Sequence, residues 1–110
     1  MKTTQKENYL LIENEAESLT DFTSEITRNE ELFKDKNVVV DLRKHQGIQR
    51  EHFLGFLEIS NFHRNSNNSF VIISDAISID ELPDELIVVP TLQEAEDMIQ
   101  MDEIQRDLGF

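Results

Sequence analysis

The chain has 110 residues, one domain's worth, with a net charge of -13, no cysteine and no tryptophan. A charge so far below zero repels polyanions, which argues against nucleic acid or an anionic membrane surface as the main partner. The missing cysteines exclude disulfide stapling and thiolate chemistry and fit a reducing compartment.

Met1 to Asn8 is polar, and no apolar run follows that resembles a signal peptide. The longest apolar runs, Phe70 to Ile73 and Leu86 to Val89, fall far short of the roughly 20 residues that span a bilayer. The expected location is therefore cytoplasmic. No internal repeat, linker or low-complexity tract divides the chain, so residues 1–110 are expected to form a single domain.

Thr3 to Asn14 reads as a hairpin or two short strands, turning near Glu7-Asn8, with Tyr9 to Ile12 the stronger strand. This N-terminal hairpin occupies residues 1–14. Ser18 starts a helix, with Asp21 three residues on as an acidic version of the capping box, and Leu19, Phe22 and Ile26 form its apolar face. Lys34 to Asn37 is a loop.

Val38-Val39-Val40 is a β-branched run between polar residues, the pattern of a strand covered on both faces. Phe53, Phe56, Leu57 and Ser60 then share a face, predicting a second helix from Gln49 to Arg64. Asn65 to Asn68 stops that helix through side chains that compete for backbone hydrogen bonds. Phe70 to Ser74 is the next buried strand. Asp75 to Glu85 alternates Ile77, Ile79 and Leu82 among polar residues, and Pro83 opposes a long helix there.

Leu86 to Val89 is a last strand, closed by Pro90. Thr91 and Glu94 form a capping box for a helix whose Leu92, Ala95, Met98 or Ile99, and Ile104 are expected to face inward. Gly109 suits its stop. Residues 100–110 read as a helical, acidic C-terminal extension. Ile104, Leu108 and Phe110 are expected to dock on the core, the alternative being an acidic-hydrophobic tail offered to a partner. The order of elements implies an α/β fold: a four- to five-stranded, mostly parallel sheet with three main helices and right-handed crossovers.

This order, from Tyr9 to about Ile99, resembles the STAS domain of bacterial anti-sigma factor antagonists and sulfate-transporter tails. Val38 to Leu42 is similar to that family's hydrophobic strand ending in Asp-Leu, and Ile48 to Leu57 to its switch segment. Phe70 to Ile73 follows at the family's usual distance. Leu86 through Ala95 resembles its closing strand and helix, including a Glu-Ala pair.

The resemblance implies a regulatory module that binds a protein, such as an anti-sigma factor-like kinase. It also implies a hydroxyl, phosphorylated by that kinase, at the start of the second helix. Gln49-Arg50-Glu51-His52 stands there instead, so phosphorylation at this position is not expected. Glu51 at a helix N-terminus is either a fixed, weak imitation of a phosphoserine or an ordinary first-turn acid, and the ordinary role is the expectation.

Catalytic signals are thin. His52 and His63 are eleven residues apart, about three helical turns, and cannot reach one metal ion. His45 and His52 without a further ligand make a poor zinc site, and His63 beside Arg64 reads as a solvated helix end. Gly47, Gly55 and Gly109 stand alone, so no phosphate-cradling loop is formed. Paired acids such as Glu30-Glu31 and Glu96-Asp97 read as solvated faces. Neither a cofactor nor a metal is expected.

Charge is unevenly spread. Asp75 to Phe110 holds eleven acids and one base, Arg106, whereas Lys34 to Arg64 holds six bases and four acids. Arg43, Lys44, Gln49, Arg50 and Glu51, around the entry to the second helix, are the candidate partner-binding residues. A non-catalytic, phosphorylation-independent STAS-like regulatory module is the expected function. The alternative is an accessory subunit of a metal-dependent enzyme of the ribonuclease Z kind, with no nuclease activity of its own. The oligomeric state is left open by the sequence.

Overall fold

Side chains alternate between the faces of a strand, yet Val38, Val39 and Val40 are all fully buried. Strand β3 (Val38–Asp41) must therefore be covered on both sides. In the computed structural model, which describes residues 1–14, 18–45, 47–76 and 79–109, it is the middle of five strands. Strands β2 (Leu10–Glu13) and β4 (Phe70–Ile73) flank it in parallel, with Leu11 and Val71 both level with Val39. Strand β5 (Ile87–Val89) runs parallel to β4, and β1 (Lys2–Gln5) pairs antiparallel with β2 as the outer arm of the expected hairpin. Spatial order equals chain order, β1 to β5.

That order has a consequence. The three parallel crossovers all step in the same direction, and crossovers of one hand stepping one way lie on one face. Helices α1 (Leu19–Arg28) and α2 (Glu30–Phe33) join β2 to β3. Helices α3 (Arg50–Leu54) and α4 (Leu57–Asn65) join β3 to β4, and a 3₁₀ turn, Ile79–Glu81, lies between β4 and β5. Phe22, Ile26, Phe33, Phe53, Phe56, Ile59 and Leu82 all pack with Leu10, Ile12, Val38, Val40, Phe70, Ile72 and Val88 on that face. The opposite face, with Tyr9, Leu11, Val39, Val71 and Ile73, is covered by α5 (Leu92–Asp107) through Ala95 and Ile99, flanked by Leu92 and Met98.

The caps form as the sequence predicts. Ser18 Oγ accepts the Asp21 N–H at 3.2 Å, and Thr91 Oγ1 accepts the Glu94 N–H at 3.2 Å. Such caps contribute about 1 kcal/mol each.

Among the described residues two of the three expected main helices are split, giving five α-helical segments. The predicted Gln49–Arg64 helix is broken at Gly55-Phe56, where the Phe56 N–H turns to the Phe53 carbonyl at 3.0 Å. Glycine is a poor helix former. A Cβ on Gly55 would meet the His52 carbonyl oxygen at 3.3 Å and Thr23 Cγ2 at 3.7 Å. The first helix divides at Asn29, whose side-chain amide donates to the Glu25 carbonyl at 2.8 Å and competes with the backbone.

Three residues depart from what the sequence implies. His63 is not a solvated helix end; it is fully buried among Phe33, Phe62 and Phe70. Its ring nitrogens face the Ile59 and Phe33 carbonyl oxygens at 3.3 and 3.2 Å, so the side chain ties α4 to α2. Ile104 does not face inward, and Leu108 does not dock on the core: they are 55% and 66% exposed. Phe110 and Ile77 lie outside the described residues, whereas Leu82 is buried as its pattern implies. Residues 100–107 simply continue α5.

Ser60 Oγ is buried and, among the described residues, finds no hydrogen-bond partner. His63→Ala is expected to lower the unfolding free energy by about 2–4 kcal/mol, from the cavity and the lost carbonyl contacts. Ser60→Ala is expected to be neutral or stabilising by up to about 1 kcal/mol, because it removes an unpaired buried hydroxyl. Urea unfolding of both variants at neutral pH checks the pair, and a large loss from Ser60→Ala would contradict the packing described.

Candidate functional site

The candidate residues gather at the carboxyl edge of the parallel strands. Here that edge is made by Glu13 and Asn14 after β2, Asp41 to His45 after β3, and Ser74 and Asp75 after β4. The five residues singled out from sequence all lie here, in the turn after β3 and the entry to α3.

Arg43 is the most constrained of them. Asp41 Oδ1 accepts both the Arg43 backbone N–H and its Nε–H at 3.0 Å, and Oδ2 accepts from Nη2 at 2.7 Å. The result is a side-chain-closed turn with a two-pronged ion pair. Burial works to raise the Asp41 pKa, but the hydrogen bonds and charge of Arg43 outweigh it and hold the carboxyl below the usual range. Arg43 is pushed up in turn, first by its hydrogen bond to Asp41 and then, against its own desolvation, by the charges of Asp41, Glu13 and Asp75. The expected basic patch is thus largely neutralised at Arg43 by acids from three neighbouring strand ends.

Lys44 is exposed. Arg50 is exposed too, but its Nε donates to the Glu81 carbonyl at 2.8 Å, fastening the start of α3 to the 3₁₀ turn. Gln49 caps α3, and its backbone N–H donates to His52 Nδ1 at 3.0 Å. His52 thus takes part in closing the start of α3. Glu51 is exposed in the first turn of a helix of only five residues. It borders an open groove of about 360 Å³ between α1 and α3, whose opposite wall carries Thr20, Thr23 and Ser24.

His45 does not turn toward His52. Its Nε2 lies 2.7 Å from the Asn14 side-chain amide, and its ring stacks on Phe22. Among the described residues no three acids or histidines converge in a way that could hold a metal ion. No helix among them is long and apolar enough to cross a membrane.

The opposite, amino edge of the sheet holds a polar hollow of about 560 Å³ that sequence reasoning did not single out. Asn8, Asn37, Asn68 and Arg106 line it, and all four are partly committed to structure. Asn37, for example, donates to the Asn8 carbonyl at 3.0 Å and accepts the Ser69 N–H at 2.8 Å. Residues so far apart in the chain carry no spacing that would have revealed the cluster.

No protein-family model matches the chain, and no curated protein matches it as a relative.

The Asp41 shift has a pH consequence. A carboxyl whose folded pKa is depressed contributes stability that is present above its unfolded value, about 3.9. That contribution is lost as pH falls through the lower folded value. Arg43→Gln is expected to cost about 1 kcal/mol at neutral pH, the scale of a partly exposed pair. The difference from wild type should shrink toward zero as the solution is acidified through that range. Urea midpoints of the two proteins across acid pH check this, and a gap that persists in strong acid would count against the ion pair.

Proposed function

We propose that the chain is a non-catalytic, STAS-like protein-interaction module, similar to an anti-sigma factor antagonist and independent of phosphorylation. The supporting observation is the entry to α3. It belongs to the segment whose sequence resembles the family's switch, it lies at the carboxyl edge of a mostly parallel five-stranded sheet, and Gln49, Arg50 and Glu51 are exposed there. Gln49-Arg50-Glu51-His52 offers no hydroxyl to a kinase.

Lys44, Gln49, Arg50 and Glu51 form the working surface, with Arg43 as the residue that shapes the turn. The partner is a regulatory protein, such as an anti-sigma factor-like kinase. With so few free cations on an acidic body, charge here selects the partner and speeds encounter more than it adds affinity. Nucleic acid and anionic membrane are disfavoured by the net charge of -13.

Affinity capture from native lysate with wild type and Arg50→Glu, read by quantitative mass spectrometry, tests the reading. One regulatory protein is expected to be recovered by wild type and depleted about tenfold or more by the variant, with circular dichroism showing both folded. A stoichiometric gain of phosphate on incubation with the captured partner and ATP would contradict phosphorylation independence. Capture of a metal-dependent nuclease, insensitive to Arg50→Glu, would favour the accessory-subunit alternative.

A further inference from the structure

An acidic protein that leaves apolar side chains in a row on its surface restricts what can cover them. Met101 and Ile104 of α5, and Leu108 that caps its end, are 55%, 55% and 66% exposed. Their spacing of three and four residues places them on one side of the helix. Asp97 and Glu94, both exposed, continue the same side toward the helix start, and exposed Asp107 borders it.

The inward side of the same stretch is polar. Asp102 accepts the Ser69 hydroxyl at 2.7 Å, Glu103 accepts the Asn8 amide at 2.7 Å, and Arg106 donates to Ser69 Oγ at 2.9 Å. Arg106 is the sole cation from Asp75 to Phe110. Because it is turned onto the sheet, the outer face of α5 carries acids, the exposed Gln93, Gln100 and Gln105, and apolar groups, with no positive charge of its own.

We infer that the outer face of α5 is a docking strip for a cationic amphipathic helix of a partner protein. Leu- or Met-type side chains of that helix would cover Met101, Ile104 and Leu108, while its Lys or Arg residues would reach Asp97, Glu94 and Asp107. A second copy of this chain fits poorly. A twofold pairing of α5 would bring its acidic residues toward those of the other copy, within two bodies that each carry a charge of -13. An anionic bilayer is repelled for the same reason. The strip lies on the helix that covers the second sheet face, so it does not depend on the switch-like surface at α3.

The test uses the full chain, isotopically labelled, titrated at physiological salt with a synthetic helix carrying Leu on one face and Lys on the other. Counterparts with Gln or Glu in place of Lys are the controls. The expected result is amide shift changes concentrated between Asp97 and Leu108, and affinity about tenfold or more weaker for the Glu peptide. The double variant Ile104→Ser/Leu108→Ser should bind the Lys peptide about tenfold more weakly while its unfolding midpoint stays unchanged, since both side chains are exposed. Shifts spread evenly over the acidic surface, equal binding by the double variant, or no binding would overturn the inference. A wild-type dimer in sedimentation that the double variant abolishes would overturn it in favour of self-association.

Discussion

The structure depends on one topological constraint: three parallel crossovers that all step the same way across the sheet. With a single crossover hand, everything between β2 and β5 falls on one face. That face receives the large aromatic side chains, with Phe22, Phe33, Phe53, Phe56 and Phe70 all essentially inaccessible. The central strands are nonetheless apolar on both sides, so the second face must be covered as well. Among the described residues α5 is the helix that covers it, and it follows the last strand, where the chain is free to cross over the edge.

A lone helix over a five-stranded sheet meets two kinds of surface along its length. Its first half lies over Leu11, Val39, Val71 and Ile73 and buries Ala95 and Ile99. Its second half reaches the amino edge of the sheet, where the groups to be met are Asn8, Asn37 and Ser69. Buried and half-buried polar groups need partners, and Asp102, Glu103 and Arg106 supply them. The apolar residues of that half are then left outside. The same need explains the carboxyl edge, where Asp41 and Arg43 satisfy one another at the end of the central strand and shape the turn leading into α3. Two surfaces of different chemistry thus sit on one sheet: a polar turn with Lys44, Gln49, Arg50 and Glu51, and an acidic strip with an apolar end.

Much of the fold is legible in the residues because burial leaves a pattern. Val38-Val39-Val40 and Phe70 to Ile73 are apolar without alternation, which only a doubly covered strand requires. Thr91 with Glu94 marks the start of α5 within a residue. Helix breaks are less legible: glycine is tolerated inside many helices, so Gly55 does not by itself announce the break at Gly55-Phe56. His63 is hidden for a similar reason. Its neighbours Arg64 and Asn65 are exposed, and its partner, the Phe33 carbonyl, lies thirty residues away in the chain. Ile104 and Leu108 mislead because apolar residues at helical spacing normally mark the buried side, and on α5 the polar seat reverses that rule. The candidate residues from Arg43 to Glu51 are placed together as their sequence proximity implies. The Asp41 and Glu81 contacts that absorb Arg43 and Arg50 needed the folded chain to be seen.

The seat of α5 decides which of its faces is outside, and one measurement reads it directly. Tyr9, the chain's single tyrosine, donates its hydroxyl to Glu96 of α5 at 2.7 Å. Burial, then the hydrogen bond and negative charge of Glu96, push its pKa up to about 12 from the ordinary 10.0. With no tryptophan in the chain, ultraviolet absorbance follows this one phenol as pH rises, and circular dichroism confirms that the chain remains folded. The account predicts a midpoint near 12 that falls toward the ordinary value in Glu96→Gln. A wild-type midpoint at the ordinary value in the folded protein would mean that α5 does not lie on Tyr9, and the orientation of its outer strip would be wrong.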